Sequence, residues 1–131
     1  MAHSDKRQFI PPPGGMGDLP FSNAVVAGNS LYPGGHIGFD PATRKVPTGA
    51  EQEARLVLDS VRDTITRAGF TTQDIVSLTI YCPDLSVYDI FNKVYRTFFR
   101  APFPARAFIG SGPLLLGARF EIQGIAVKDN L

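Results

Sequence analysis

The sequence predicts an α+β domain in which two amphipathic helices cover one face of a mixed sheet, and three observations carry that expectation. Ala54, Val57, Leu58, Val61, Ile65 and Ala68 recur at three and four residues, which makes one stripe along a helix. Ile90, Phe91, Val94, Tyr95 and Phe98 supply a second apolar helix face. Residues 75–81 and 119–127 alternate with period two instead, the pattern of strands whose two faces meet different surroundings.

Taken in order, residues 1–19 read as an irregular arm, polar at first and then punctuated by Pro11, Pro12, Pro13, Gly14 and Gly15. Residues 20–131 read as one domain. Residues 24–27 and Leu31-Tyr32 form a hairpin about the turn Gly28-Asn29-Ser30. Gly34, Gly35 and Gly38 continue it, and glycines in a strand mark a bulge or the close approach of a backbone or ligand. Asp40-Pro41-Ala42-Thr43 is a turn.

Thr48 with Glu51 three residues on reads as a capping box, opening a helix that runs to about Ala68 and stops at Gly69. Asp59, Arg62, Asp63 and Arg67 lie off its stripe and belong to a solvated face. Pro83 ends the next strand. Ser86 with Asp89 reads as a second helix start, and that helix reaches about Phe99 before Pro102 and Pro104 break it. Residues 105–110 resume as strand, 112–117 form a loop, and the last strand follows, giving the order β-β-α-β-α-β-β. With both helices on one side, the other sheet face needs a cover, so self-association through it is expected.

Composition narrows the function classes. The 131 residues make one domain; 44% are hydrophobic and only 19% charged, below the roughly 25% usual in soluble domains, which again fits a surface covered by another chain. The formal charge of +1 gives no general electrostatic case for nucleic acid or an anionic membrane. A single cysteine, Cys82, excludes an internal disulfide and a CxxC ligand pair, and two histidines far apart make zinc an unexpected partner. The N-terminal segment has no apolar run of signal-peptide or membrane-span length, so a cytoplasmic location is expected.

Pro104-Ala105-Arg106 is the most informative local feature, a fixed cation in an apolar strand. Its guanidinium is charged at physiological pH and offers a planar fork of donors that matches a carboxylate. The anion is either a substrate or a structural partner such as Glu121 or a residue of a neighbouring subunit. Cys82 reads as a small buried hydrophobe rather than a nucleophile. His36 reads first as a structural hydrogen-bonding residue and second as a titratable pocket group. Phe98, Phe99, Phe103 and Phe108 fit core or interface better than a stacking platform for bases.

Five segments in order, Pro20-Phe21-Ser22-Asn23-Ala24-Val25, Gly35-His36-Ile37-Gly38-x-Asp40-Pro41, Asn92-x-x-Tyr95-x-x-Phe98-Phe99, Pro104-Ala105-Arg106 and Glu121-Ile122-Gln123-Gly124-Ile125-Ala126-Val127, resemble the RidA/YjgF reactive-intermediate (imine) deaminase family. The resemblance spans residues 20–128 and implies a chorismate-mutase-like fold, a homotrimer and ligand clefts between subunits. It implies a cofactor-free pocket that hydrolyses the C=N bond of 2-imino acids, formed from 2-enamino acids, to a 2-keto acid and ammonia. By the same resemblance Arg106 clamps the substrate carboxylate, and the backbone at Phe108 helps to hold it. Gly34, Gly35, His36 and Asn92 match pocket positions.

The departures from the family pattern concern the chemistry. Gln123 stands where active members carry a glutamate that positions or deprotonates the attacking water, and a glutamine can orient water but not accept its proton. Phe21 replaces an aromatic hydroxyl, Gly34 a serine, and His36 a common glutamine. Glu121 shares a face with Gln123 but sits about 6.5 Å along the strand, far for the same water. Weakened or redirected deaminase activity is therefore expected. The alternative is a non-catalytic trimeric module that binds small carboxylates or acts as a chaperone; a ribonuclease draws no support from the charge balance.

Overall fold

Strands β2 (Ala24–Ala27) and β3 (Ser30–Pro33) pair antiparallel about a tight Gly28-Asn29 turn, and the Asn29 side chain ties the turn to the Lys128 carbonyl at 2.9 Å. In this computed structural model, which describes residues 6–14 and 18–129, they belong to a mixed sheet of seven strands among the described residues. β1 (Gln8–Ile10) pairs with β2 and forms one edge. The irregular arm expected over residues 1–19 is therefore wrong at 8–10, where Ile10 is buried and the outer edge of β2 offers its backbone groups; residues 1–5 and 15–17 of that arm lie outside the described residues.

β4 (His36–Ile37) and β3 both pair with the last strand, β7 (Glu121–Val127). β7 runs antiparallel to β5 (Ile75–Cys82), which lies parallel to β6 (Ala105–Gly110) at the far edge. Two helices connect these strands on the same face: α1 (Ala50–Arg67) before β5, and α2 (Tyr88–Phe98) as the crossover that parallel pairing of β5 and β6 requires. The expected α+β architecture is present, with the early strands more numerous than predicted.

The α1 stripe is buried at Ala54, Val57, Leu58, Val61 and Ile65. Its start differs from the expected capping box. Gly49 is the cap and no side chain closes the first turn; Glu51 turns outward to Arg55, and the Thr48 carbonyl accepts from Arg119 Nη2 at 2.7 Å. Gly69 sits at φ +85° immediately past the helix, the left-handed stop the sequence predicts. The capping box that does form is Thr71 with Asp74, on the short 3-10 turn that leads into β5. Ser86 does not cap α2 either: the Asp84 carboxylate accepts from the Ser86 N–H in a 3-10 turn, and α2 starts at Tyr88 without a side-chain cap.

Strand alternation sorts the sheet into two faces. Leu31, Leu78, Ile80, Cys82, Ile122 and Ala126 point to the helices and are buried there with Phe91, Val94 and Phe120. Phe9, Tyr32, Ile109 and Ile125 belong to the other face and are exposed at 61%, 48%, 42% and 37%, so that face carries large apolar side chains in contact with solvent. Among the described residues no helix is long and apolar enough to cross a membrane.

Candidate active site

Arg106 lies on the helix-facing side of β6, opposite Leu78 of β5, and the site grows from that placement. Tyr88 and Asn92 are four residues apart on α2 and therefore share the helix face turned toward β6. Arg106 Nη1 donates to Asn92 Oδ1 at 2.7 Å, and Nη2 donates to the Tyr88 hydroxyl at 3.2 Å. The guanidinium carbon stands 4.7 Å from the Tyr95 ring centre, 5.5 Å from that of Phe108 and 5.7 Å from that of Tyr88. These rings orient the cation and partly replace its water.

No carboxylate pairs with Arg106 among the described residues. Two of the five guanidinium donors are taken by neutral oxygens, and about three are without a partner among the described residues. They open onto a cleft of about 200 Å³ lined by Tyr88, Asn92, Tyr95, Arg96, Phe103, Pro104 and Arg106. The Tyr95 hydroxyl beside it is buried with no hydrogen-bond partner among the described residues. Burial pushes its pKa up, against the opposing pull of Arg106, so it is a neutral phenol.

The structural alternative for Arg106, a salt bridge to Glu121, does not form within the chain, and the sheet explains why. Residues directly opposed on neighbouring strands share a face, and β5 pairs Ile80 with both Phe108 and Ile122, so Arg106, Phe108 and Ile122 face the helices. Glu121 and Gln123, opposite Tyr81 and Thr79, face the other way. One chain thus places Arg106 with Phe108 and Asn92, and sets Glu121 and Gln123 together on the opposite face. Gln123 is exposed, while the Glu121 carboxylate lies against Gly35, where a Cβ would overlap it.

The remaining residues lie before β2, between β3 and β4, and at the start of β4. Phe21 is 58% exposed, and the Gly34 N–H donates to the Asn23 carbonyl at 2.9 Å. His36 is buried and faces α1 rather than the Arg106 cleft. Its Nδ1 lies 2.7 Å from the Gly34 carbonyl, which only accepts, so Nδ1 carries the proton; Nε2 then accepts from Thr64 Oγ1 at 2.8 Å, and that oxygen accepts from Asn23 Nδ2 at 2.7 Å. Burial lowers the His36 pKa, partly offset by the bond to Gly34, so the ring is neutral. Its contact is with the backbone of the Gly34-Gly35 segment, the structural reading of this histidine.

Cys82 is buried, its thiol donates to the Asp84 carbonyl at 3.1 Å, and burial raises its pKa, which suits a packing role. No group of three or more His, Cys, Asp or Glu side chains comes together among the described residues. The sequence reading missed Tyr88, Arg96 and Phe103 as cleft residues. Tyr88 carried a signal, since it lies one helical turn before Asn92; Phe103 follows a helix break and has no period to place it.

This fold and this arginine-centred cleft define a small α+β protein with a guanidinium that lacks an acidic partner among the described residues, and comparisons with known proteins give its family. The family model described as Endoribonuclease L-PSP matches residues 17–128, and the chain belongs to that family, which comprises the YjgF/RidA proteins. A 2-iminobutanoate/2-iminopropanoate deaminase of Bos taurus is 34% identical over 113 residues, 86% of this chain and 82% of the relative. The crystal structure of RidA from Psychrobacter sp. PAMC 21119 superposes with a TM-score of 0.80 at 30% identity, covering 91% of this chain and 94% of that one. Escherichia coli TdcF, solved with bound serine, gives a TM-score of 0.81 at 30% identity, covering 86% and 91%. The fold is thus the chorismate-mutase-like fold that the resemblance implied.

Proposed function

We propose that the chain is an imine deaminase that hydrolyses small 2-imino acids, and their 2-enamino tautomers, without a cofactor. Water adds to the C=N carbon, the C–N bond breaks, and a 2-keto acid and ammonia leave. The observation that carries this reading is the Arg106 guanidinium, held by Asn92 and Tyr88, surrounded by three rings and lacking an acidic partner. Such a cation takes a substrate carboxylate and draws electron density away from the adjacent imine carbon. The deaminase names of relatives more than 30% identical over most of the chain support the same chemistry.

Gln123 orients water without deprotonating it, so turnover is slow relative to members with a glutamate at that position. Because Gln123 and Arg106 face opposite sides of one chain's sheet, we infer a homotrimer whose clefts combine Arg106 of one subunit with Gln123, Glu121 and the Gly34-Gly35 segment of another. The exposed Phe9, Tyr32, Ile109 and Ile125 support a covered sheet face. A single buried cysteine fits a cytoplasmic setting. The decisive experiment measures clearance of 2-iminopropanoate by wild type and Arg106→Ala. Loss of both turnover and keto-acid binding in the variant supports the reading, and unchanged turnover overturns it. The second reading, a trimeric carboxylate-binding module, is favoured by Gln123, Phe21 and Gly34; keto-acid binding without any turnover would establish it.

A further inference from the structure

The Arg106 cleft contains a second guanidinium that the proposed reaction does not use. Arg96 follows Tyr95 on α2, lines the same cleft, and leans over Phe103 at 5.9 Å from its ring centre. The Phe103 and Tyr95 rings are themselves stacked 6.4 Å apart with 28° between their planes, so the two arginines sit over the two members of one aromatic pair. Neither arginine makes an ion pair among the described residues, and no carboxylate lines the cleft. Within one subunit the wall therefore carries two formal positive charges without a counter-ion, on Arg106 and on the exposed Arg96, and the Glu121 that a neighbouring subunit would bring to the cleft balances at most one of them. By contrast Arg55, Arg62 and Arg119 each have an acidic partner.

We propose that the cleft takes a 2-imino acid bearing a second carboxylate on its side chain, docked on Arg96 while Arg106 holds the carboxylate next to the imine. This rests on the deaminase reading of the same cleft and names its substrate class. Two cations over low-polarity rings favour two counter-ions: a monoanion docked on Arg106 leaves Arg96 without one, whereas a dianion gives each guanidinium its own. At about 200 Å³ the cleft is smaller than the roughly 300–1,000 Å³ of pockets that take drug-sized ligands, so a short-chain dicarboxylate fits better than a bulky acid. The unpartnered Tyr95 hydroxyl beside the same rings is a neutral donor for a ligand oxygen once the rings part to admit one.

The test is binding of two stable product analogues, 2-oxoglutarate and 2-oxobutanoate, by isothermal titration to wild type, Arg96→Ala and Arg106→Ala. A charge-assisted contact to the second carboxylate predicts that wild type prefers 2-oxoglutarate by at least about tenfold. Arg96→Ala is expected to bring the ratio of the two affinities close to one, Arg96→Glu to invert it, and Arg106→Ala to weaken both ligands. A wild-type ratio near one, or a ratio that survives Arg96→Ala while Arg106→Ala still weakens both ligands, overturns the dicarboxylate inference and leaves the Arg106 clamp standing. Failure of both acids to bind, or indifference of both to Arg106→Ala, overturns the clamp itself and the inference with it.

Discussion

The buried Glu53 carboxylate and the partly exposed Arg119 form a clamp between α1 and the segment that leads into β7. Arg119 Nη1 donates to Glu53 Oε1 at 2.8 Å, the Arg119 backbone N–H donates to Oε2 at 2.6 Å, and the Phe120 N–H reaches the same oxygen at 3.3 Å. Glu53 is fully buried, and Arg119 also binds the carbonyls of Pro47 and Thr48. Removing Glu53 leaves the Arg119 and Phe120 backbone N–H groups without their acceptor and the partly exposed Arg119 guanidinium without its anion, which costs about 2–4 kcal/mol. Glu53→Ala is accordingly expected to lose that much stability in urea unfolding, and a loss below about 1 kcal/mol would show that the clamp is not what holds α1 to β7.

A close approach on the same helix gives an independent test. A Cβ on Gly38 would stand 2.5 Å from the Glu53 carbonyl oxygen and 2.7 Å from the Val57 amide nitrogen, both backbone atoms that move only with α1. Gly38→Ala should cost about 1–3 kcal/mol through overpacking. Gly112→Ala, with nothing within 4 Å of the new methyl, should stay within about 0.5 kcal/mol of wild type in the same measurement.

His36 makes stability pH-dependent in a defined sense. Its pKa in the fold is below the ordinary value of 6.5, so under mildly acidic conditions the unfolded chain binds a proton that the folded chain refuses. Above about pH 6.5 both states are neutral at this ring and its full contribution is present. As the pH falls below that value the contribution is lost, at most about 1.4 kcal/mol per pH unit, until the lowered folded pKa is reached. Unfolding curves for wild type and His36→Gln between pH 7.5 and pH 5 should therefore converge on acidification, and parallel curves would contradict a neutral buried ring.

The supports of Arg106 should be unequal. The Asn92 contact is short and charge-assisted, whereas the Tyr88 contact is long and to a weaker acceptor. Asn92→Ala is expected to weaken 2-oxobutanoate binding by about ten- to a hundredfold and Tyr88→Phe by about fivefold or less. Equal losses would mean that the rings, not the hydrogen bonds, set the arginine's position.

Position 123 tests the water-handling argument. Gln123→Glu supplies the missing proton acceptor on the same exposed site, and we expect imine clearance to rise by at least about a hundredfold with little change in KM. A variant no faster than wild type would place the limitation elsewhere in the cleft.

How far the sequence foretold these groups depended on the range of the interaction. The α1 stripe and the β5 and β7 alternation are local periodicities, and Ala54, Val57, Leu58, Ile80 and Ile122 are buried where those periods put them. Glu53 was readable as an anomaly, four residues before Val57 on the buried face, but its partner Arg119 is 66 residues away and no local pattern points to it. Thr48-x-x-Glu51 failed as a capping box because Arg119 claims the Thr48 carbonyl and Arg55 and Lys93 claim the Glu51 carboxylate. Arg106 stood out chemically as a fixed cation in an apolar strand, but its assignment to a substrate carboxylate rested on the family resemblance. That it and Gln123 lie on opposite faces follows from the register of three strands, and a single strand's period cannot give it.

β7 answers to two surfaces at once. Ile122 and Ala126 are constrained by the core beneath the helices, whereas Glu121, Gln123 and Ile125 face the far side of the sheet, Glu121 against Gly35 and Gln123 exposed. The side chain at position 123 can therefore change without disturbing the scaffold that carries it. On the reading proposed for Gln123, such a strand would accept a carboxylate at that position by one side-chain exchange that the core beneath the helices does not feel.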